Sequence, residues 1–398
     1  MKLNTINQCD CYVGIWFLYS LFGSLQILTG ITTVLQVIAI VWAFVLCPSR
    51  FLLKKGQPAL INIIVLLTIL HLFYGFAAML MGPTTLLGGE VRPPHIYIRT
   101  ALASFLPIIV FYEYTARGLL TESRIIKYFW ILFALTIFNY FESYKATIIA
   151  LRVQGVDATE TTNNVGYNFL FMIPMLMFYY RKPLLQYILL FVIMGFVVSS
   201  MKRGAILIGV VCFATFLYKN IKNADNIKVK YLSVLLGIAA IIGSVFFVSH
   251  MMETSDYFNQ RIKQTERGNT SRRDVLYAKI YNAIVYDESY THALVGRGAD
   301  STIRIAGNYA HQDWLEVACN NGLLGLSLML AFYICFAMTV KKSRDMLPPP
   351  LLLSFNLVFF ICIMQTMFSM SLTSMGLATT MLLGFFLFEG VGKRDIVV

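Results

Sequence analysis

The sequence predicts an all-α, polytopic integral membrane protein with about twelve transmembrane helices. Hydrophobic residues make up 58% of the 398 residues and charged residues only 13%, whereas roughly a quarter of the residues in soluble domains are charged. Apolar runs also recur along the whole chain, and about 20 apolar residues cross a bilayer as a helix. Lys and Arg are concentrated in alternate connections between these runs, which is the pattern of a multi-pass protein.

The apolar runs predict twelve spans, separated by short polar interruptions. The splits at Gly30 and near 369–371 are the least pronounced of these interruptions. The predicted spans are residues 12–29, 31–47, 59–80, 96–113, 127–144, 165–180, 184–200, 204–218, 231–249, 322–340, 351–368 and 372–388.

Basic residues orient the predicted helices. The basic connections contain Lys2; Arg50, Lys54 and Lys55; Arg117, Arg124 and Lys127; Arg181 and Lys182; Lys219, Lys222, Lys228 and Lys230; Lys341, Lys342 and Arg344; and Lys393 and Arg394. The positive-inside rule places these connections and both termini in the cytoplasm. The net charge of +12 therefore reports orientation, and no nucleic-acid partner is expected.

The remaining connections are predicted to face outward, and the longest is 250–321. The chain thus divides into 1–249 with helices one to nine, this outer loop, and 322–398 with helices ten to twelve and a short cytoplasmic tail. Apolar residues at helical spacing predict an amphipathic helix in the loop, lying on the membrane or on the helical bundle: Tyr277, Ile280, Tyr281, Ile284 and Val285.

Outward-facing cations are the informative charges under this topology. Arg203, in SSMKRGAIL, falls in a connection of a few residues. It either snorkels to lipid phosphates or binds an anion bidentately at the mouth of a cavity. Lys202 either assists it or is an interfacial lysine.

Three further groups are candidates for anion binding. Arg272 and Arg273 precede the amphipathic helix, where a helix N-terminus favours an anion, although a solvated loop pair is an equal alternative. Arg99, early in span four, binds substrate or snorkels outward. Gly296 and Gly298, in LVGRGADS, form an anion-binding turn or are ordinary turn residues.

The stretch GNYAHQDWLEVACNNGLLG, residues 307–325, places a histidine and two carboxylates before an apolar run. We expect a short helix from His311 to about Asn320, capped at Gly322. Trp314 and Leu315 are expected to form a membrane-facing anchor. His311 suits a general base, and an interfacial histidine with local hydrogen bonds is the alternative.

The spacing in this stretch predicts no metal site. His311, Asp313 and Glu316 do not share one face of a helix. The seven cysteines likewise show no spacing typical of a disulfide framework or a metal site.

The motifs follow one another in a fixed order between about Ser199 and Leu326. They are a Lys-Arg-Gly-Ala helix start, RDVLY with an arginine four residues before an aromatic, GRGADS, and AHQDWLEVACNNGLLGL. The last is the most specific, and the earlier half of the chain adds only TTNNVGYNF. In this order the motifs resemble the bacterial O-antigen ligase and O-antigen polymerase superfamily.

The resemblance implies a GT-C-like glycosyltransferase of the bacterial inner membrane, working at the periplasmic face without a metal or other cofactor. The implied donor is an oligosaccharide on undecaprenyl diphosphate, and the acceptor glycan is a lipid-linked repeat or lipid A core. Membrane lipids and a chain-length regulator are the further partners it implies.

Three residues match the family's functional positions. The resemblance implies that Arg203 and Arg273 stabilise the leaving diphosphate and that His311 activates the acceptor hydroxyl. Because Arg272 is adjacent to Arg273, the family's loop arginine could correspond to either of these two residues. Two departures are Tyr277, where the family usually has tryptophan, and Gln312, where it usually has asparagine.

A polytopic transporter or lipid-linked sugar flippase is the alternative from another class. Transporters carry ionisable residues or broken helices near mid-membrane. The charges noted within the predicted spans, Arg99, Glu113 and Glu142, lie near helix ends, which favours the enzyme.

Overall fold

The chain is almost entirely helical, as a computed structural model shows. It describes residues 7–25, 29–54, 56–87, 89–153, 161–223, 227–254, 259, 263 and 273–393. The sheet of this described part is one antiparallel hairpin, formed by β1 (Thr84–Thr85) and β2 (Val91–Arg92). The predicted all-α membrane class is therefore confirmed.

The helices follow the apolar runs. In chain order they are α1 (Gln8–Leu25), α2 (Thr29–Leu46), α3 (Ala59–Met81), α4 (His95–Ala116), α5 (Glu122–Val153), α6 (Gly166–Leu170), α7 (Met172–Met175), α8 (Pro183–Ser199), α9 (Arg203–Asn223), α10 (Ile227–Thr254), α11 (Arg273–Val285), α12 (Tyr290–Val295), α13 (Ser301–Ala306), α14 (Asp313–Lys342), α15 (Pro349–Phe368) and α16 (Leu377–Leu387). Short 3-10 turns cover Pro48–Phe51, Leu176–Tyr179 and Ser343–Asp345, and a π turn covers Phe388–Gly392.

Six helices of the described chain, rather than twelve, are long and apolar enough to cross a membrane. They are Ala59–Met81, His95–Ala116, Glu122–Val153, Arg203–Lys222, Asp313–Asp345 and Pro349–Phe368. Five further apolar helices are shorter: Gly30–Leu46, Gly166–Tyr179, Pro183–Ser199, Lys230–Gly243 and Leu377–Gly392. The predicted count of twelve is therefore not reached, in part because hydropathy alone does not show where a helix breaks.

The predicted span 165–180 is the clearest example of such a break. It forms two short α-helices and the 3-10 turn Leu176–Tyr179. Pro174 lies within it, and proline cannot donate the hydrogen bond that continues a helix. All side chains of Met172–Met175 are nevertheless buried, so this broken segment is an internal element.

Internal contacts divide the chain into two units. The first contains Met1–Leu135 and Arg273–Val398, and the second contains Thr136–Arg272. The sequence-based segments that end at 249 and 321 describe the order along the chain and stay a prediction.

The core of the first unit is built around α4, which packs against α2, α3 and α16. Gly384 of α16 lies against α4 so closely that a Cβ there would be 2.6 Å from the Cβ of Phe111. Small residues allow helix backbones to approach in this way. Close packing of these apolar helices supports the polar end at which α11 to α14 and the hairpin meet.

Loops that contain Lys and Arg lie close together at the end of this unit opposite to α11–α14 and the hairpin. Glu113 accepts hydrogen bonds from Arg50 and Arg117, both at 2.9 Å. Asp10 pairs with Arg124 and accepts a hydrogen bond from Tyr128 at 2.6 Å. Carboxylates thus bring together connections that the sequence predicts to lie on one side.

Candidate active site

His311 lies immediately before α14, in a left-handed backbone conformation with φ of 53°. The helix begins at Asp313, with Gln312 in extended conformation before it, so the expected helix start at His311 is wrong by two residues. The left-handed region is unfavourable for residues with a Cβ. The side chain of His311 is half-buried.

Three non-glycine residues of the described chain have left-handed backbone. They are Met201 (φ 52°), Asp300 (φ 55°) and His311. Each falls in a different motif of the sequence: SSMKRGAIL, GRGADS and AHQDW respectively. Such strain costs of order 1–3 kcal/mol and tends to cluster at functional sites.

Glu316 holds the residue before His311. Its Oε2 accepts a hydrogen bond from the amide of Ala310 at 2.8 Å. Its Oε1 accepts from the Thr302 hydroxyl at 2.7 Å and from Asn320 Nδ2 at 3.0 Å. This carboxylate is buried and joins three chain segments, so it is a positioning group.

Asp313 holds the connection between α15 and α16. Its Oδ2 accepts hydrogen bonds from the amides of Ser371 and Leu372, at 2.8 and 2.9 Å. Trp314 donates from its indole nitrogen to the Thr366 hydroxyl at 3.1 Å. The beginning of α14 is thereby attached to residues 366–372.

Arg273 is attached to the same stretch. Its Nη1 donates to the carbonyl of Phe368 at 3.3 Å, and it is the first residue of α11. Arg273 and the helix that follows His311 therefore share residues 366–372 as a support. Arg272 lies outside the described residues.

Leu315, which the sequence predicts to be part of a membrane-facing anchor, is half-buried. Leu315 packs against a buried cluster of Ile280, Ala306, Ala310 and Cys319. Ile280 belongs to α11 and is fully buried, whereas Tyr281 and Val285 of the predicted apolar face are exposed. At this point α11 therefore packs on the protein, which is one of the two positions that the sequence left open.

Gly296 and Gly298 form a turn that caps a helix. The amides of Arg297 and Gly298 donate to the carbonyls of Cys319 and Asn320, at 2.9 and 3.0 Å. The Gly296 amide donates to His292 at 2.8 Å. These amides are thus engaged within the protein, as in an ordinary turn, and the anion-binding role of the two glycines stays a prediction.

Gly322 interrupts α14, as the sequence suggested. Its φ of 60° and ψ of −153° are non-helical. A Cβ at this position would lie 2.4 Å from the Gly296 nitrogen. The backbones of the two glycines can approach because neither has a side chain.

Arg92 and Asp300 form an ion pair that the sequence analysis did not identify. Arg92 Nε lies 2.9 Å from Asp300 Oδ2, and the two side chains are 15% and 5% exposed. The guanidinium also lies over the Tyr309 ring, 5.1 Å from its centre. Arg92 is a cation in a connection that was predicted to face outward. The search for outward-facing cations that selected Arg203 could therefore also have found Arg92.

A cavity of about 140 Å³ lies between these elements. Burial raises the pKa of Tyr309, which lines it, to about 12. His71, near the middle of α3, lines it as well and is almost fully buried. The remaining lining residues are Arg92, Tyr97, Thr100, Asp300, Asp313, Glu316, Val317, Asn320, Asn321, Met370, Thr373 and Ser374.

Arg99 faces another helix. Its Nη1 donates to the Thr33 hydroxyl in α2, and its carbonyl accepts from Gln36 Nε2 at 3.4 Å. It is not among the residues that line the cavity. Its predicted role in substrate binding stays a prediction.

Arg203 begins α9 in the second unit, and its side chain is exposed. The amide of Asn163 donates to the Ser200 carbonyl at 2.8 Å, and a Cβ at Gly166 would lie 2.3 Å from Ser200 Oγ. The amide of Lys202 donates to Ser200 Oγ at 3.3 Å. The TTNNVGYNF and SSMKRGAIL motifs therefore pack together.

No protein-family model matches the sequence, and no curated protein matches it. In the described part of the chain, no three His, Cys, Asp or Glu residues are grouped so that they could hold a metal ion. The candidate site is consequently defined by its own geometry: His311 and Arg273 on a shared support, with the polar cavity beside them.

Proposed function

We propose that this protein is a membrane glycosyltransferase that transfers or polymerises oligosaccharide units from undecaprenyl diphosphate at the periplasmic face. The observation that carries the proposal is the left-handed backbone of Met201, Asp300 and His311. Each lies in a motif on which the family resemblance depends. Strain of about 1–3 kcal/mol per residue persists where the surroundings impose it, commonly at functional sites.

His311 is the proposed general base. It takes the proton of the acceptor hydroxyl while that oxygen forms a bond to the anomeric carbon of the donor. The bond from this carbon to the diphosphate oxygen breaks, and its electron pair leaves with undecaprenyl diphosphate. Attack opposite the leaving group inverts the anomeric configuration.

Arg273 and Arg203 are proposed to stabilise the negative charge that develops on the leaving diphosphate. A guanidinium binds phosphate oxygens through a planar fork of donors. Donors aimed at a developing charge commonly contribute a factor of about 10²–10³ to the rate. The lipid diphosphate is itself the activated leaving group, so the reaction as proposed requires no metal or other cofactor.

Preorganisation of the base supports this assignment. Glu316 holds Ala310, Asp313 holds the 371–372 amides, and Arg273 binds Phe368. These contacts restrain the chain on both sides of His311. A catalytic group held by its neighbours avoids an ordering cost during the reaction.

The proposed topology is GT-C-like, with about twelve crossings if α1 and the five shorter apolar helices are counted. Both termini are proposed to face the cytoplasm from a bacterial inner membrane. We place a polymerase slightly ahead of a ligase. The first uses a lipid-linked repeat as acceptor and the second uses lipid A core.

Purified protein with a lipid-linked oligosaccharide donor and each acceptor tests the proposal. We expect the wild type to release undecaprenyl diphosphate and to form a longer glycan, and His311→Ala and Arg203→Ala to do neither. Chain growth without lipid A core identifies a polymerase. Normal polysaccharide length and attachment in cells carrying either variant would refute the enzymatic assignment.

Transport of a lipid-linked sugar is a second candidate, which His71 favours. It is an ionisable residue near the middle of an apolar helix and lines the same cavity as Asp313, a position typical of transporters. Vesicles containing purified protein distinguish the two functions. A transporter moves the lipid-linked sugar across the bilayer without forming a glycosidic bond and retains this activity in His311→Ala.

A further inference from the structure

The charge of the cavity that Arg92 lines excludes a diphosphate. It contains three carboxyl groups, from Asp300, Asp313 and Glu316, against the single guanidinium, which already pairs with Asp300 at 2.9 Å. The Arg92–Asp300 ion pair is neutral as a whole, and Asp313 and Glu316 add either no charge or negative charge, so no net positive charge is available. Burying an unpaired anion there would be strongly unfavourable, so the cavity suits an uncharged, polar ligand.

His71 lines this cavity and carries a hydrogen-bond acceptor. Its Nδ1 lies 2.8 Å from the carbonyl of Leu67, and a carbonyl only accepts, so Nδ1 carries the proton and Nε2 is an acceptor. The residue is 2% exposed and lines the cavity. Among the described residues the side chain bonds through Nδ1 alone, so Nε2 can accept a hydrogen bond from a hydroxyl group of a ligand.

Other groups around the cavity match a polyhydroxylated ring. Asn321 uses its Nδ2 toward the Tyr97 hydroxyl at 3.4 Å, which leaves its carbonyl oxygen as an acceptor. Tyr97 and Tyr309 supply aromatic surface. A cavity of about 150 Å³ holds one benzene ring, so a volume of about 140 Å³ admits at most one six-membered ring.

We infer that this cavity is a saccharide subsite that binds one uncharged sugar ring of the acceptor. The inference rests on the proposed glycosyl transfer, which it deepens. Tyr309 and Asp313 line the cavity and each lies two residues from His311. A ring bound there presents its hydroxyl groups to the segment that contains the base, while the donor diphosphate binds elsewhere.

Val317→Phe tests the inference by filling the cavity without changing its charge. Val317 is buried and lines the cavity. Leu324→Phe is the matched control, because Leu324 belongs to the same helix but is 46% exposed and does not line it. We expect Val317→Phe to raise the acceptor KM by about tenfold or more and to leave the donor KM within about twofold, whereas the control changes neither.

Val317→Leu provides a smaller obstruction should the phenylalanine variant fail to fold. An unchanged acceptor KM in whichever variants fold would overturn the inference, and so would equal changes in the donor and acceptor KM. If the wild type is active and either of these results is found, the subsite is rejected but the proposed function is retained.

Measurement of saccharide binding without turnover tests the subsite when the protein shows no glycosyl transfer. Saturation-transfer NMR on the full-length wild type uses the neutral oligosaccharide released from the lipid-linked donor, with pyrophosphate as competitor. We expect saccharide signals that Val317→Phe removes and pyrophosphate does not. If these appear while wild type forms no glycosidic bond, the subsite stands and only the transferase assignment fails; absence of the saccharide signals overturns the inference.

Discussion

Glu316 accepts a hydrogen bond from the backbone amide of Ala310 at 2.8 Å, so a buried carboxylate holds the residue that precedes His311. The same carboxylate binds Thr302 and Asn320. It connects α13, the His311 loop and α14 in one contact network. The geometry of the proposed base therefore depends on a residue five positions further along the chain.

Removal of this carboxylate is expected to destabilise the protein. Glu316→Ala leaves three buried donors without their acceptor, at a cost of about 2–4 kcal/mol. Glu316→Gln retains an acceptor oxygen and should lose less. Thermal unfolding of the detergent-solubilised protein measures both, and equal losses in the two variants would contradict the role given to the hydrogen bonds.

Alanine at Gly296 is expected to be more harmful than alanine at Gly298. Both positions have positive φ, of 75° and 93°. The backbone strain of an alanine there should therefore destabilise both variants by a similar amount, about 1 kcal/mol. At Gly296 the added Cβ would also lie 2.5 Å from the backbone of Asn320, whereas at Gly298 its nearest neighbour is 3.5 Å away. Comparison of the unfolding temperatures isolates the contribution of the close approach, and a matching decrease for both variants would argue against it.

Substitution of His311 separates its chemistry from its backbone strain. His311→Gly and His311→Ala both remove the imidazole and should both lose glycosyl transfer. The glycine variant should be more stable than the alanine variant by about 1 kcal/mol, because glycine adopts left-handed backbone without penalty. Unfolding temperature and product formation are measured in parallel; residual transfer in either variant would exclude the histidine as the base.

Arg273→Ala is expected to reduce kcat/KM for the lipid-linked donor by a factor of about 10². Lys279→Ala is the control, since Lys279 lies on the exposed side of the same helix. Arg272→Ala shows which of the two adjacent arginines acts on the diphosphate. Steady-state kinetics with purified donor provide the measurement, and a loss of equal size in Lys279→Ala would indicate a general charge effect.

The ion pairs of Asp287 predict a pH dependence of stability. The Ser289 amide, with His292 and Arg297, lowers the pKa of the Asp287 carboxyl. A lowered pKa in the folded state adds stability above the ordinary pKa of aspartate, about 3.9, and this stability is lost as pH falls through the folded value. The unfolding temperature of wild type should therefore exceed that of Asp287→Asn at pH 7, and the difference should shrink as the pH falls below about 3.9 and the carboxyl is protonated. A difference that is constant with pH would exclude this ionisation as its source.

Local sequence patterns predicted the segments whose structure is decided locally. Long apolar runs predicted helices such as α3 and α15, because the bilayer leaves helical hydrogen bonding as the available backbone arrangement. The Asn-Gly pair at 321–322 predicted the interruption of α14. The helix start two residues after His311 was missed, since the spacing of residues does not show that His311 and Gln312 have non-helical backbone conformations.

What the sequence by itself determined is the helical membrane class, its apolar segments and the motifs that contain His311, Arg273 and Arg203. Only the tertiary structure decided which distant residues meet. Arg92 and Asp300 are 208 positions apart, and Leu315 faces a protein cluster that a membrane-facing pattern could not reveal. The reason is physical: helix formation and hydropathy depend on neighbours along the chain, whereas ion pairs and cavities depend on packing between helices that no local spacing records.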